Sequence, residues 1–162
     1  MTAVTRLPTA APPSQSKQKL RLWIRLLRTS RAIESDIRQR LRVTFDTTLP
    51  QFDVMAALAR RPEGMTMTEL SRQLMVSNGN VTGIIDRLVA EKLVQRRAPA
   101  DDRRAFIVRL TPKGVSQFDT MAKRHETWID QLLSELDHDD VNAMVRQLEG
   151  LATRIRDAGA RL

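Results

Sequence analysis

Between Thr66 and Ala90 two short apolar patterns stand almost back to back, separated only by Met75 and Val76. Leu70 and Leu74 recur at helical spacing in the first, and Val81, Ile84, Ile85, Leu88 and Val89 in the second. Thr66 followed by Glu69 is a capping box, and Ser77 is a capping residue for the second pattern. A two-residue connector cannot carry a wide loop, so the two helices must cross at close range. Leu93-Val94-Gln95-Arg96-Arg97 follows as a short strand. Ala98-Pro99-Ala100-Asp101-Asp102 has turn chemistry. From Ala105 to Leu110 the residues alternate, with Phe106, Val108 and Leu110 facing one way and Ile107 and Arg109 the other. That alternation predicts a second strand returning as a hairpin.

The flanks read as helices. No Gly or Pro occurs from 14 to 49, and Leu20, Ile24, Leu27, Ile33, Ile37 and Leu41 recur near the 3.6-residue period, with Trp23 beside them. Thr48, Pro50 and Gln51 open a short second helix with Phe52, Met55, Ala56 and Leu58 on its core side, ended by Pro62 and Gly64. Thr111-Pro112 opens a fifth helix that runs to about Leu136, with Val115, Phe118, Ala122, Trp128, Ile129 and Leu132 as its apolar positions. Asp137 caps a sixth, with Val141, Val145, Leu148, Leu151 and Ile155. The expectation is a mainly α chain of six helices with a two-stranded β-hairpin. Residues 1–16, with Pro8, Pro12 and Pro13 among Ala, Ser and Thr, read as a flexible tail. The remaining divisions are a first helix over 17–47, a helix-turn-helix and hairpin region over 48–111, and C-terminal helices over 112–162.

Composition excludes several chemistries. With no cysteine there is no disulfide, Cys-ligated zinc, iron–sulfur cluster or thiol nucleophile. His125 and His138 are the only histidines, which leaves few ways to build a metal site, so none is expected. No serine–histidine–carboxylate arrangement, P-loop or dinucleotide fingerprint is visible, so the chain is read as a non-enzyme without a cofactor. No apolar run approaches the ~18–20 residues of a membrane helix. The first residues lack the apolar core of a secretory signal. The expected location is cytoplasmic, with no membrane partner.

The net charge of +8 is uneven. Residues 60–114 hold eleven basic and six acidic side chains, residues 1–45 ten and two, and residues 115–162 six and nine. A basic helix-turn-helix with a hairpin behind it is a winged helix-turn-helix, an architecture suited to double-stranded DNA. The N-terminal residues of the second helix would reach the major groove. Ser77, Asn78, Asn80 and Thr82 are small, polar and free of carboxylate. Gly79 and Gly83 are costly inside a helix, which points either to close approach of DNA or to close helix packing. At the hairpin tip, Arg103 and Arg104 suit a narrow minor groove, with Asp102 placed to orient a guanidinium or to pair with Arg87. Arg96, Arg97 and Arg109 are candidates for phosphate contacts.

The segment Asp102-Arg103-Arg104-Ala105-Phe106-Ile107-Val108-Arg109-Leu110-Thr111-Pro112-Lys113-Gly114 resembles the D-x-R…V-x-L-T-x-x-G signature of the MarR family of bacterial regulators. Gln51-Phe52, Thr68-Glu69-Leu70-Ser71, Val81-Thr82, Asp86-Arg87-Leu88 and Leu93-Val94 fall in the same order, and the likeness runs over about residues 18–160. The resemblance implies a homodimer built by the first and the last two helices. It also implies a wing arginine at Arg104 with Asp102 as its acidic partner, and regulation of transcription, with repression expected. Independently, the apolar stripes of the flanking helices exceed what a ~55-residue winged unit needs, and a two-fold partner would cover them. The DNA site is then a pseudo-palindrome.

Phe45 through Leu58 and Val76 through Gly83 are also similar to a subgroup associated with aromatic-acid catabolism, including hydroxycinnamates such as p-coumarate and ferulate. Several regulators of that subgroup respond to the acyl-CoA thioester. Arg25 and Arg28, with Arg21 before them, and the pair Arg38 and Arg42 form an arginine stripe on the first helix that suits the phosphates of a CoA ester. Trp23, Phe45, Phe52 and Met55 would line an apolar slot for the aromatic acyl group. The same residues also suit plain core packing and a solvated or DNA-facing helix surface. The competing function is a DNA-binding regulator without a small-molecule effector, controlled by a partner protein.

Overall fold

The computed structural model describes residues 14–97 and 106–159. The chain divides into two compact units, residues 1–48 and 49–162.

The first unit carries one long helix, α1 (Gln15–Phe45). The uninterrupted helical pattern explains its length, and it begins two residues before the predicted start at 17, inside the segment read as a tail. It ends at Asp46, whose left-handed backbone (φ 50°) lets its N–H donate to Arg42 O at 3.1 Å. The Thr47 hydroxyl donates to Phe45 O at 3.1 Å and holds the turn. Ile37 and Leu41 are buried, whereas Leu20, Leu22 and Trp23 are well exposed.

The second unit is organised around α2 (Leu49–Ala59). Its core side is wider than the predicted stripe. Val54 and Ala57 are buried along with Phe52, Met55 and Leu58, while Ala56 is only half-buried. A helix apolar nearly all round must be covered nearly all round. Here α2 contacts α3 (Met67–Leu74), α4 (Asn78–Ala90), α5 (Pro112–Leu132) and the strand β3 (Ile107–Leu110).

The hairpin of β2 (Val94–Arg97) and β3 gains a third strand, β1 (Met65–Thr66). The sheet is antiparallel in the order β1-β3-β2, with Met65 opposite Val108 and Arg96 opposite Val108 on the other side. Gly64 makes this possible. Its φ of +96° suits glycine, and a Cβ there would stand 2.5 Å from Ile107 Cγ2 and 2.7 Å from Val108 O. The two-stranded expectation missed β1 because two residues carry no readable alternation.

Capping chemistry sets the helix starts. Glu69 N–H donates to Thr66 Oγ1 at 3.2 Å, and Thr66 N–H donates back to Glu69 Oε2 at 2.7 Å, a complete capping box. The Asn80 N–H donates to Ser77 Oγ, Gly114 N–H to Thr111 Oγ1, and Asp140 N–H to Asp137 Oδ1. Between α3 and α4, Met75 turns the chain in the left-handed region (φ 54°) with its side chain 91% exposed.

Helix α5 ends at Leu132, before the predicted Leu136. Its deepest residues are Met121 and Trp128, while Val115 lies at the surface, against expectation. The helix α6 (His138–Gly159) buries none of its residues. Val141, Met144, Val145, Leu148, Leu151 and Ile155 form an exposed apolar stripe along it.

Candidate nucleic-acid interface

Helix α4 is held by one face. Val81, Ile85 and Leu88 are fully buried, and their 3–4-residue spacing leaves the opposite face free. Ser77, Asn78, Gly79, Asn80, Thr82, Gly83, Asp86 and Arg87 are all exposed. No acidic residue lies in the first turn, so the partial positive charge of the helix N-terminus is not offset there. Ser77 Oγ is engaged as the cap at 3.4 Å, and the Thr82 hydroxyl donates to Asn78 O at 2.9 Å. Thr82 therefore presents acceptor lone pairs and a methyl group outward. A Cβ added at Gly79 or Gly83 would meet nothing within 4 Å. Packing among the described residues therefore does not account for either glycine.

Two features tie the base of the wing to the rest. Arg96 of β2 reaches Asp86 of α4, with Nη2 2.7 Å from Oδ1. On the neighbouring register position, Gln95 faces Arg109, and with its amide oxygen toward the guanidinium it accepts from Nε at 2.8 Å and Nη2 at 3.2 Å. Of the strand arginines read as phosphate contacts, Arg96 and Arg109 thus have partners within the fold, and Arg97 is exposed. Arg87 lies 3.7 Å from Glu91 on its own helix. Asp102, Arg103 and Arg104 lie outside the described residues.

The L-T-P-K-G segment has a structural explanation. Thr111 N–H donates to Leu93 O at 2.9 Å, its hydroxyl donates to Lys92 O at 2.8 Å, and Lys113 Nζ donates to Glu91 O at 3.0 Å. Gly114 packs so closely that a Cβ would fall 1.9 Å from Leu93 O. This segment therefore fastens the start of α5 to the junction between α4 and β2.

The effector candidates divide between the units. Trp23, Arg25, Arg28, Arg38, Arg42 and Phe45 belong to α1. Trp23 and the four arginines are exposed, Phe45 is half-buried, and Arg38 lies 4.0 Å from Glu34. Phe52 and Met55 belong to α2, where Met55 is fully buried. The Phe52 ring lies 5.6 Å from Phe118 and stacks on His125 at 4.8 Å. Burial pushes the His125 pKa down, opposed by the nearby Asp53 carboxylate. Nothing in the sequence pattern signals this histidine's role, since its partners are set by how α2 crosses α5. Among the described residues no group of three His, Asp or Glu is placed to hold a metal ion, and no helix is long and apolar enough to cross a membrane.

A helix-turn-helix with a three-stranded wing sheet and a polar, open second helix defines a winged helix-turn-helix protein. Residues 45–105 match the model of the MarR family. The regulator MhqR of Bacillus subtilis is 22% identical over 134 residues, 83% of this chain and 91% of that one. Some other relatives align over only about half their length. A MarR family regulator from Silicibacter pomeroyi superposes with a TM-score of 0.76 at 29% identity, covering 89% of this chain and 99% of that one. Staphylococcus aureus MepR, solved in complex with DNA, superposes at 0.71 with 22% identity, covering 82% and 97%. Over residues 45–105 the chain is thus similar to the MarR family, and its fold is the winged helix-turn-helix of those solved regulators.

Proposed function

We propose that the protein is a dimeric, sequence-specific DNA-binding repressor of aromatic-acid catabolism genes. In this reading a hydroxycinnamoyl-CoA thioester or related aromatic effector releases it from DNA. The observation that carries DNA recognition is the exposed, carboxylate-free N-terminal half of α4, which presents Ser77, Asn78, Asn80 and Thr82. MepR, a protein of the same fold, is solved in complex with DNA, which supports DNA as the partner. Arg104 is assigned to the minor groove on the signature and, together with Arg103, on the charge of that sequence segment. The effector assignment rests on the arginines of α1 and the subgroup likeness. For release, the effector must bind the DNA-incompetent state more tightly, since equal affinity shifts nothing.

The test is fluorescence anisotropy on DNA from upstream of the protein's own gene, with random DNA as control, with and without p-coumaroyl-CoA. Specific binding lost on adding the thioester is the expected result. Specific binding indifferent to it, and to a panel of aromatic acids, would remove the effector. A reporter under the same upstream DNA separates repression from activation. A second reading, regulation without a small-molecule effector, is favoured by one observation: Met55 and the Phe52 ring are already engaged in packing inside the second unit.

A further inference from the structure

Asp86 stands out on α4. It is the only carboxylate between Asn78 and Ala90, and it lies on the exposed face, four residues beyond Thr82 and seven beyond Gly79. A bare carboxylate there would repel a polyanion. It is not bare, because Arg96 lies against it at 2.7 Å. The arginine comes from a different element, one residue before the end of β2.

We infer that the Asp86–Arg96 ion pair is the brace that sets the wing against the recognition helix, and that both are positioning residues for DNA reading. The inference rests on the DNA-binding function proposed above. Register supports it. Val94, two residues before Arg96 and on the same side of the strand, is buried, and β2 contacts α4 directly. Gln95 and Arg109 occupy the alternate position and join β2 to β3. Each strand of the hairpin is thereby fixed, one to its neighbour and one to the helix. The placement of β2 then depends on a contact to α4. The side chains are 33% and 56% exposed, so the pair is partly screened and its effect is modest in size.

The brace predicts an effect opposite in sign to simple electrostatics. Asp86→Asn removes a negative charge facing DNA, which alone would tighten binding. A brace makes the same change weaken binding to the duplex that the wild-type protein selects from a random pool. The expected loss is about threefold to tenfold, the lower part of the range of coupling between contacting residues, as suits a partly exposed pair. Arg96→Gln is expected to lose at least as much, and the double variant no more than Arg96→Gln alone. For both single variants, affinity for random DNA falls less than for the selected duplex, and the salt slope is unchanged. Matching thermal melts show that folding is intact.

Tighter binding by Asp86→Asn would overturn the brace. So would Arg96→Gln losing equally on random DNA with a salt slope reduced by about one, the mark of a phosphate contact. Amide exchange in the DNA-free protein gives an independent reading. Val94–Arg97 should exchange faster in Asp86→Asn than in wild type, and equal rates would end the inference even if DNA recognition stands. A wild type that prefers no duplex over random DNA would instead refute the proposed function, and the exchange rates would still judge the brace.

Discussion

Gly79 and Gly83 are anomalies in a helical sequence, because each costs roughly 0.8–1 kcal/mol in a helix relative to alanine. Nothing among the described residues crowds either of them. Replacing both by alanine is therefore expected to raise stability by roughly 1–2 kcal/mol, a higher Tm in a thermal melt. The same variant is expected to bind operator DNA more weakly, because two methyl groups then stand on the face presented to the groove. Unchanged DNA affinity would mean that this face does not closely approach DNA. Gly114 makes the contrast. An added Cβ collides with Leu93 O at 1.9 Å, so Gly114→Ala is expected to cost about 1–3 kcal/mol or more, read as a lower urea midpoint. Both glycines of α4 and Gly114 stand out in the sequence, but only the packing distinguishes a free surface from a closed contact.

At the scale of elements, the starts of α3, α4, α5 and α6 are legible in the sequence because capping is local chemistry, written within four residues, whereas α1 starts without a side-chain cap. Thr66 and Glu69 exchange both hydrogen bonds of the box, and Thr66→Ala is expected to cost about 1 kcal/mol in denaturant unfolding. The hydrogen bonds from the Thr66 backbone and side chain also hold the Glu69 carboxyl below its ordinary pKa. That contribution is complete above about pH 4.5 and is lost as pH falls below it. The features that local pattern does not reveal depend on elements meeting across the fold: the strand β1, the burial of Met121, the Asp86–Arg96 pair and the stacking of His125 on Phe52. His125 has a pH consequence of its own. Its folded pKa is depressed by burial, so the fold favours the neutral ring. Its contribution is complete above about pH 6.5 and is lost as pH falls from there toward the depressed value. Urea unfolding from pH 7.5 down to pH 5.5 is expected to show this decline, and His125→Gln is expected to flatten it. An equally steep decline in the variant would assign the pH dependence to other groups.

At the scale of the whole molecule, the question is what covers the apolar residues that the chain leaves exposed. On α6 the stripe from Val141 to Ile155 holds six large apolar side chains, each 37–62% exposed. On α1, Leu20, Leu22 and Trp23 are exposed to a similar degree. Isolated apolar side chains at a surface need no explanation, but contiguous stripes mark an interaction surface. A two-fold partner covers the same stripe twice, once on each copy, which is the economy of a self-complementary interface. The dimer proposed for DNA reading therefore places an expectation on α6. Leu148→Glu together with Val145→Glu sets two carboxylates in the middle of the stripe. In the isolated chain both positions are exposed, so the fold should tolerate them, with a circular dichroism spectrum like that of wild type. In a dimer they would be buried without partners, a cost large enough to separate the subunits. Sedimentation equilibrium should find wild type at twice the chain mass and the variant at the chain mass. DNA affinity should fall with it, since a single recognition helix reads only half of a pseudo-palindrome. A wild type that is monomeric at every concentration while binding its operator specifically would disprove the dimeric arrangement and leave the stripe on α6 to a different partner.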